Sequence, residues 1–501
     1  MESAIPSIPS LPISYIDALP ILKALNGHGP KAEDFNQYWT RNTGLGYKGV
    51  DYNVGPTPDD VVVNLYNKQD YVTTPLWNVI GVINGTIPDE VVVIGNHRDA
   101  WVAGGAGDPN SGSAIMNEVI RSFGEALEAG WKPLRTIVFA SWDGEEYGLI
   151  GSTEWVEEYL PWLNHANVAY LNIDVGVRGP HFSASASPLL DNIIHEATRS
   201  VLSPNQTVPG QTVYDVWNKR ITTMGSGSDF TAFQDFAGVP SLDVGFDGSR
   251  ETPVYHYHSN YDSFYWMQKY GDPGFVYHRT MAQVFGMLAA QLSDLPVIAF
   301  SMKSYASALD RYVQQVEDKL DQALSSKNQS GDVIISTLSD EDILSLRAAF
   351  INDTMEEQGP SIQSFKHSLN KLRSEVRKWA ADAARFDEHA DELRRRCGGS
   401  GRHHIPWWNW PAHIKLAHAI RRINTQYKLT ERVFLHNEGL DGRPWFKHVV
   451  FAPGLWTGYS GAVFPGLMES IDARDWGNAE RWAEIIRDSV GKLPGMPGAE
   501  R

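Results

Sequence analysis

The feature that most restricts the fold is a regular alternation of strand and helix patterns between residues 58 and 295. Short β-branched runs bounded by turn residues predict strands at 61–66, 77–83, 90–97, 135–142 and 167–174. Amphipathic patterns predict helices between them, at 110–129 and 152–163. Strands that alternate with helices build parallel sheets covered by helices. The sequence therefore predicts an α/β sandwich with a largely parallel central sheet.

The character of the chain changes on both sides of this segment. Residues 1–57 are rich in Pro, Gly and Ser and carry one short helical pattern at 16–25. Beyond Pro296 strand patterns nearly vanish, and helical patterns with charged faces follow at 300–326, 337–356 and 361–396. We therefore expect three parts, which are a lead-in at 1–57, an α/β domain at 58–295 and an all-α helical domain at 296–501.

Charge and composition exclude several functions. The formal net charge of −17 argues against a nucleic-acid partner, which would need a basic face. No apolar run approaches the roughly 18 residues of a membrane span, and the N-terminus lacks the basic and apolar regions of a signal peptide. The single cysteine, Cys397, excludes an intrachain disulfide. Glycosylation sequons at Asn84, Asn205, Asn328 and Asn352 weakly favour a secretory setting.

Histidines and carboxylates recur where the predicted strands end. The carboxyl ends of parallel strands meet at one edge of a sheet, where ligands gather. Taken singly, each residue has an ordinary explanation as a loop histidine, a helix cap or a solvated turn. Recurrence at successive strand ends weakens those explanations. The candidates are His97, Asp99, Asp108, Glu145, Glu146, Asp174, His256 and His258.

The chemistry of these side chains points to a metal site. Histidine and carboxylate ligands without a thiolate suit zinc or a similar divalent ion. The candidates exceed what a single catalytic zinc uses, and two ions that share a bridging carboxylate would use the surplus. Glu145 and Glu146, adjacent in "SWDGEEYG", can then divide the work, because one can bind metal while the other acts as a general base.

Four segments carry a family resemblance, namely "NHRDAWVAGGAGDPNSG", "FASWDGEEYGLIGSTEW", "GSGSDF" and "YHSNYDS". Together they resemble the signature segments of the glutamate carboxypeptidase II and transferrin receptor family of dizinc exopeptidases, in a fungal-type member. The resemblance extends from about residue 5 to about residue 490. It implies a zinc-exopeptidase sandwich followed by a helical transferrin-receptor-like dimerisation domain, and therefore a homodimer.

The resemblance also implies a role for each ligand. His97 and Asp174 would hold one zinc ion. Glu146 and His258 would hold the other, and Asp108 would bridge the two ions. The implied cofactors are therefore two Zn²⁺ ions.

Further roles follow from the same resemblance. Glu145 would be the catalytic base, and Asp99 would orient His97. His258 rather than His256 fits the family pattern, because it directly precedes "SNYDS". The predicted substrate contacts are Tyr257, Tyr459, Ser226, Gly227 and Leu149. The predicted ligands of a structural Ca²⁺ are Glu154 and Glu157.

The chain also departs from the family pattern. Residues 1–57 resemble a remnant of the protease-associated (apical) domain, as expected for an N-terminally truncated member. Glutamate-selective members have a lysine where this chain has Gly458. The segment 240–246 stands in place of an arginine cluster that favours an acidic penultimate residue. These departures predict weaker selectivity for acidic substrates.

The direction of cleavage is the least determined property. Tyr257 and Tyr459 carry hydroxyl donors suited to a terminal carboxylate, which favours a carboxypeptidase acting on a peptide substrate. An aminopeptidase of the same fold is one alternative, and an inactive receptor or sorting scaffold is another, which the retained ligand set disfavours. Family members are membrane-anchored with an extracellular or lumenal catalytic domain, but this chain shows no anchor, so its compartment stays open.

Overall fold

A computed structural model describes residues 7–35, 39, 43–325, 362–397 and 410–495. The helix predicted at 337–356 and the sequons at Asn328 and Asn352 lie outside the described residues, whereas Asn84 and Asn205 are exposed. The chain divides into two compact units, residues 1–75 and residues 76–501. All candidate catalytic and metal-binding residues lie in the second unit.

The first unit contains two α-helices in its described part, α1 (Tyr15–Ala24) and α2 (Ala32–Phe35). Helix α1 confirms the helical pattern at 16–25. Ser14 caps it, because the Ser14 hydroxyl accepts a hydrogen bond from the Asp17 backbone N–H at 3.1 Å.

The strand predicted at 61–66 is wrong. The structure gives this segment no regular secondary structure, and Val62 and Tyr66 are 79% and 78% exposed. β-Branched residues favour a strand only where neighbouring strands complete its hydrogen bonds and cover its side chains. The described part of residues 1–75 contains no strand that could do so.

A seven-stranded mixed sheet forms the centre of the second unit. Its strands are β1 (Val79–Ile83), β2 (Ile87–His97), β3 (Arg135–Trp142), β4 (Asn167–Asn172), β5 (His181–Ala186), β6 (Ile221–Thr222) and β7 (Ser241–Asp247). They lie in the order β1-β3-β2-β4-β7-β5-β6. The pairs β1–β3 and β5–β7 are antiparallel, and the other pairs are parallel. The predicted α/β fold with a largely parallel sheet is confirmed.

Helices flank this sheet, and one helix predicted from the sequence is divided into two in the structure. They are α3 (Asn110–Glu128), α4 (Ile150–Glu158), α5 (Leu160–Ala166), α6 (Asp191–Arg199), α7 (Val213–Val216), α8 (Phe264–Trp266) and α9 (Val276–Asp294). Helix α3 confirms the pattern at 110–129. The single helix predicted at 152–163 is instead α4 and α5, which meet at Tyr159. Pro161 lacks the N–H that would continue the hydrogen bonding of α4.

The middle strands are buried on both faces. Val92 and Ile94 of β2 pack in one cluster with side chains of α3 and α9. Val91 and Val93 point to the opposite face and pack with side chains of α4 and α5. Covering on both faces explains why the strand reads as a continuous apolar run.

The chain beyond Pro296 is mainly helical. Its described helices are α10 (Met302–Ser325), α11 (Ile362–Cys397), α12 (Trp410–Leu429), α13 (Pro465–Asp472) and α14 (Trp476–Gly491). Helices α10 and α11 confirm the patterns at 300–326 and 361–396. An antiparallel pair of short strands, β8 (Phe451–Pro453) and β9 (Gly461–Val463), has no counterpart in the prediction. No helix in the described ranges is long and apolar enough to cross a membrane.

A buried carboxylate joins the helical part to the sheet. Glu431 is fully buried and accepts hydrogen bonds from the Ser187 hydroxyl (2.8 Å) and the Tyr305 hydroxyl (3.0 Å). Ser187 follows β5, and Tyr305 lies on α10. The helical part is thus packed on the sheet within one compact unit, while the predicted domain limits at 57 and 295 stay predictions.

Candidate metal centre

Three neighbouring strands bring the candidate side chains to one edge of the sheet. Strand β2 lies between β3 and β4 and runs parallel to both. His97, the last residue of β2, pairs with Trp142 at the end of β3, and Gly95 pairs with Asn172 at the end of β4. The residues that follow these strand ends therefore meet at the same edge.

His97, Asp108 and Asp174 form the first group of side chains that could hold a metal ion. His97 Nε2 lies 2.8 Å from Asp174 Oδ1 and 3.2 Å from Asp108 Oδ1. Asp108 and His97 are buried, and only 15% of the Asp174 side chain is exposed. The structure thus brings these three candidates into one buried cluster.

Asp108, Glu146 and His258 form the second group. His258 Nε2 lies 3.3 Å from Asp108 Oδ2 and 3.2 Å from Glu146 Oε2. Asp108 therefore presents one carboxylate oxygen to each group, as a bridging ligand does. His256 belongs to neither group, and its ring lies near Tyr261, with the ring centroids 5.4 Å apart.

The hydrogen bonding of His97 tests whether a cation fits the first group. His97 Nδ1 lies 3.0 Å from the Asp99 backbone carbonyl oxygen, which can only accept, so Nδ1 carries a proton. Nε2 of the neutral ring is then a bare acceptor, yet it faces carboxylate oxygens of Asp108 and Asp174. Acceptors that converge in this way need a proton or a metal ion between them. Asp108 Oδ1 is also buried without a hydrogen-bond partner among the described residues, so the set fits zinc.

The close approach of these side chains also shifts the pKa values of His97 and Glu146. Burial alone would lower the pKa of His97, but the charge of Asp174, the hydrogen bond with Asp174 and the nearby Asp108 carboxylate raise it far above its usual range. Burial and the charge of Asp108 raise the pKa of Glu146 to about 7. The ion-pair partners of these carboxylates among the described residues are histidines. The negative charge that remains is what a bound divalent cation would neutralise.

Asp99 connects several parts of the site. Its two carboxylate oxygens accept hydrogen bonds from the backbone N–H groups of Glu145 and Glu146, both at 3.1 Å. Asp99 Oδ1 also lies 3.6 Å from His97 Nδ1. Asp99 thus contacts His97 and holds the loop that carries the two glutamates.

Asp262 is a buried carboxylate that sequence reasoning missed. It is 1% exposed, and it accepts hydrogen bonds from the backbone N–H groups of Gly107 (2.7 Å) and Asp108 (3.0 Å) and from the Tyr255 hydroxyl (2.9 Å). These contacts fix the backbone that carries the shared carboxylate. The available signal was its place as the aspartate of "YHSNYDS".

Glu145 lies beside the first group without belonging to it. It is 7% exposed, and its Oε2 lies 3.9 Å from His97 Nδ1. Burial, with the charge of Asp174, raises the pKa of Glu145 well above its usual range. A buried carboxylate at this place can hold and release a proton close to the cluster.

A cavity of about 630 Å³ opens beside Asp108 and Asp174. Tyr257, Tyr459 and the segment 225–228 line it. Tyr459 lies in the loop between β8 and β9, so the helical part of the same chain forms part of the wall. A cavity of this size can receive the end of a peptide.

Two glycines allow the loop that carries Tyr459 to pack closely against the segment 225–227. A Cβ atom at Gly225 would lie 2.3 Å from the Tyr459 carbonyl oxygen, and one at Gly227, where φ is +99°, would lie 2.4 Å from the Tyr459 ring. Between them, the Ser226 backbone N–H donates to the Tyr459 carbonyl oxygen at 3.2 Å. This N–H is therefore already bonded within the protein.

The two tyrosines of the wall interact with each other. Burial, followed by a hydrogen bond with Tyr459, raises the pKa of Tyr257 above its usual range. The Tyr257 ring also stacks on His258, with the ring centroids 3.6 Å apart. Leu149 does not line this cavity; it precedes α4 with a left-handed φ of 60°. The other four predicted substrate contacts gather around the cavity, and they are Tyr257, Tyr459, Ser226 and Gly227.

The predicted calcium ligands Glu154 and Glu157 lie on α4 and are exposed. Glu157 Oε1 accepts a hydrogen bond from Trp445 Nε1 at 2.6 Å. Neither glutamate belongs to a metal-binding group formed by the described residues.

Known proteins are similar to this chain over nearly its whole length, and two family models each match one segment of it. The probable glutamate carboxypeptidase of Arthroderma benhamiae is 42% identical over 480 residues, which cover 95% of this chain and 57% of that protein. The aminopeptidase NAALADL1 of Rattus norvegicus is 31% identical over 523 residues, which cover 99% of this chain and 61% of that protein. The chain therefore spans less than two thirds of the length of either relative.

Among solved structures, a zinc aminopeptidase from Bacillus subtilis is similar to 44% of this chain and 51% of its own, with 19% identity and a TM-score of 0.34. The model of Peptidase family M28 matches residues 78–270, and the model of the Transferrin receptor-like dimerisation domain matches residues 367–493. The family resemblance carried by the four sequence segments is thereby confirmed. The chain thus contains one segment similar to Peptidase family M28 and one similar to the Transferrin receptor-like dimerisation domain.

Proposed function

We propose that this chain is a zinc-dependent exopeptidase that hydrolyses a terminal peptide bond. The observation that carries the proposal is Asp108, which presents one carboxylate oxygen to each of two groups of ligand-type side chains. We assign one zinc ion to each group. Glu145, buried beside the first group, is the proposed base. A shared carboxylate and an adjacent base are the parts that dinuclear hydrolysis requires.

The proposed ligands all come from the two groups. They are His97 and Asp174 for the first zinc ion, Glu146 and His258 for the second, and Asp108 for both. Zinc held there would polarise a peptide carbonyl, lower the pKa of water and favour the ionised form of Glu145.

Glu145 moves the proton that hydrolysis requires. Ionised Glu145 accepts a proton from the attacking water as the new C–O bond forms, and it returns that proton to the amine nitrogen as the C–N bond breaks. The hydrogen bond from the Glu145 backbone N–H to Asp99 keeps the base in place. Its burial keeps bulk water from competing for the proton.

We assign carboxypeptidase direction to this site. Tyr257 and Tyr459 line the cavity, and a hydroxyl group is a suitable donor to the carboxylate of a C-terminal residue. Gly458 carries no side chain with which to grip the side chain of that residue, so selectivity for glutamate should be weak. The name of the Arthroderma benhamiae relative supports the direction, whereas that of the Rattus norvegicus relative favours the alternative, an aminopeptidase.

Peptides blocked at one end decide the direction. We expect cleavage of an N-acetylated peptide with a free C-terminus and none of a peptide with a free N-terminus and a C-terminal amide. The reverse result would assign an aminopeptidase. A scaffold without activity would cleave neither peptide.

Metal analysis tests the number of ions. Purified protein should contain about two zinc ions per chain, and removing them with a chelator should abolish hydrolysis until zinc is returned. A chain that neither contains nor takes up zinc would contradict the proposal. Calcium at Glu154 and Glu157 is a separate proposal, and calorimetric titration of the zinc-loaded protein with Ca²⁺ tests it against a Glu154→Gln variant.

We also propose a twofold symmetric homodimer formed through the helical part. The match of residues 367–493 to a dimerisation domain supports it, and such helices need partners for any apolar face that their own chain leaves open. Light scattering should give twice the monomer mass at micromolar concentration, and a stable monomer would count against this assembly.

A further inference from the structure

The loop at residues 454–460 brings Tyr459 to the wall of the cavity, yet most of this loop is exposed. It joins β8 to β9, and Trp456 and Tyr459 within it are 90% and 63% exposed. Exposed side chains make few of the contacts that fix a loop. Inside the hairpin, the Gly454 backbone N–H donates to the Ser460 carbonyl oxygen at 2.9 Å. The place of Tyr459 therefore depends strongly on how the protein holds the base of the hairpin.

A histidine side chain holds the first strand of this hairpin from within the core. His448 is fully buried, and its Nδ1 accepts hydrogen bonds from the backbone N–H groups of Val450 (3.1 Å) and Phe451 (3.2 Å). Phe451 begins β8 and pairs with Val463 of β9. Two donors that point at Nδ1 leave no place for a proton there, so the ring carries its proton on Nε2. His448 can hold both N–H groups only in this tautomer.

A buried carboxylate favours that tautomer. His448 Nε2 lies 3.2 Å from Glu431 Oε1, and both side chains are fully buried. Because a carboxylate accepts hydrogen bonds, it favours the proton on Nε2. Glu431 is itself fixed, since Ser187 donates to its Oε2 and Tyr305 donates to its Oε1. The His448 backbone N–H also donates to the Asp235 carbonyl oxygen at 3.0 Å, so both the ring and the backbone of His448 are held.

We propose that His448 is a positioning residue, which places Tyr459 in the cavity wall by holding the base of the hairpin. This inference rests on the proposed function, in which Tyr459 contacts the C-terminal residue of the peptide. Glu431 acts through His448, and neither side chain lines the cavity. The pair should therefore affect the affinity for the substrate and leave the chemistry of the metal centre unchanged.

Two amide variants separate the hydrogen bonds of Nδ1 from the contact of Nε2. In His448→Asn, the side-chain amide oxygen takes the place of Nδ1 and can still accept from the backbone. In His448→Gln, the amide reaches the place of Nε2 and faces Glu431, but no acceptor remains for Val450 and Phe451. We expect KM to rise by about tenfold in His448→Gln and to stay within about twofold in His448→Asn, with kcat and zinc content unchanged in both.

Backbone hydrogen–deuterium exchange measures the hairpin without any reaction. Exchange at residues 450–460 should be faster in His448→Gln than in the unaltered protein and little changed in His448→Asn. Asn424→Leu is the matched control, because Asn424 is 1% exposed and also bonds two backbone groups, the Ile298 N–H and the Pro296 carbonyl oxygen, both at 2.9 Å. It should lower the unfolding temperature and leave KM unchanged. An equal rise of KM in Asn424→Leu would attribute the effect to lost stability and overturn the proposal.

A milder variant keeps the test decisive if His448→Gln does not fold. Glu431→Asp draws the carboxylate away from Nε2, so KM should rise by about threefold and exchange in the hairpin should become faster. Where His448→Gln folds, equal KM values in the two His448 variants would reject the assignment, and where it does not, unchanged KM in Glu431→Asp would do so. Either result leaves the proposed reaction intact. If the unaltered protein cleaves no peptide while the exchange difference is present, the proposed reaction fails and the role of His448 in holding the hairpin stands.

Discussion

The two groups of ligand-type side chains and the substrate-facing wall of the cavity differ in burial. This wall, here named the tyrosine wall, consists of Tyr257, Tyr459 and residues 225–227. His97 and Asp108 are 1% and 6% exposed; His97 ends β2, and Asp108 lies just before α3. Tyr257 and Tyr459 are 47% and 63% exposed and lie in loops. Buried ligands such as His97 and Asp108 suit one fixed reaction, whereas exposed loop side chains can change with the substrate.

The two regions also differ in which parts of the chain build them. The ligand groups depend on segments within the peptidase match at 78–270. The tyrosine wall needs the loop between β8 and β9, which the helical part supplies. We infer that substitutions in the ligand groups change metal binding and the rate of hydrolysis, while substitutions in the tyrosine wall change the affinity for the substrate.

Glu145→Gln should give the largest loss. Glutamine keeps the shape of the side chain but cannot accept the proton, so we expect kcat to fall by about 10²–10⁴-fold with the zinc content unchanged. Glu158→Gln, an exposed acid at the end of α4, is the control and should keep full activity. Rates equal to those of the unaltered protein in Glu145→Gln would remove Glu145 as the base.

Asp262→Asn should weaken metal binding although Asp262 is not itself a proposed metal ligand. Asparagine cannot accept all three hydrogen bonds that Asp262 receives from Gly107, Asp108 and Tyr255, so the segment that carries Asp108 should loosen. We expect zinc affinity to fall by about 10- to 100-fold, measured by competition with a chelator. Glu251→Gln removes an exposed acid from a nearby loop and should have no effect. Unchanged zinc affinity would show that Asp262 does not support the metal centre.

Gly227→Ala should affect the wall alone. The added methyl group would lie 2.4 Å from the Tyr459 ring at a backbone φ of +99°, so Tyr459 must move. We expect KM to rise by about tenfold, with zinc content unchanged. Gly124→Ala is the control, because a Cβ atom there meets nothing within 4 Å. A loss of zinc in Gly227→Ala would show that the two regions are not separable.

The sequence could identify His97 and Asp174 as candidate ligands because strand-end signals are local. The β-branched runs before His97 and Asp174 identify strands, and parallel pairing then brings their ends together. The same signal at 61–66 gave a wrong strand, because local propensity does not say whether a partner strand exists.

Contacts between distant segments were beyond the reach of sequence patterns. Nothing in the spacing of the "YHSNYDS" segment shows that Asp262 accepts hydrogen bonds from Gly107 and Asp108. Likewise, the strands β8 and β9 do not follow from local periodicity. These features depend on packing between elements far apart in the chain.

Asp191→Asn should give the smallest effect, since Asp191 lies outside both regions. It begins α6, where the helix N-terminus favours a negative charge. Burial outweighs this and the charge of Arg311, and it raises the pKa of Asp191 to about 7. An acid whose folded-state pKa is above its unfolded value of about 3.9 makes the folded state less stable as the pH rises from about 4 to 7.

Asp191→Asn removes this pH-dependent loss. We expect the variant to be more stable than the unaltered protein by about 1 kcal/mol at pH 8, a value reduced because Asp191 borders a water-accessible cavity. The gain should shrink as the pH falls toward 5, because Asp191 is then protonated in the folded protein and resembles the amide. Denaturant unfolding at both pH values measures this, with Glu388→Gln, an exposed acid on α11, as the control. A gain of equal size at both pH values would mean that the amide packs better and that titration of Asp191 is not the cause.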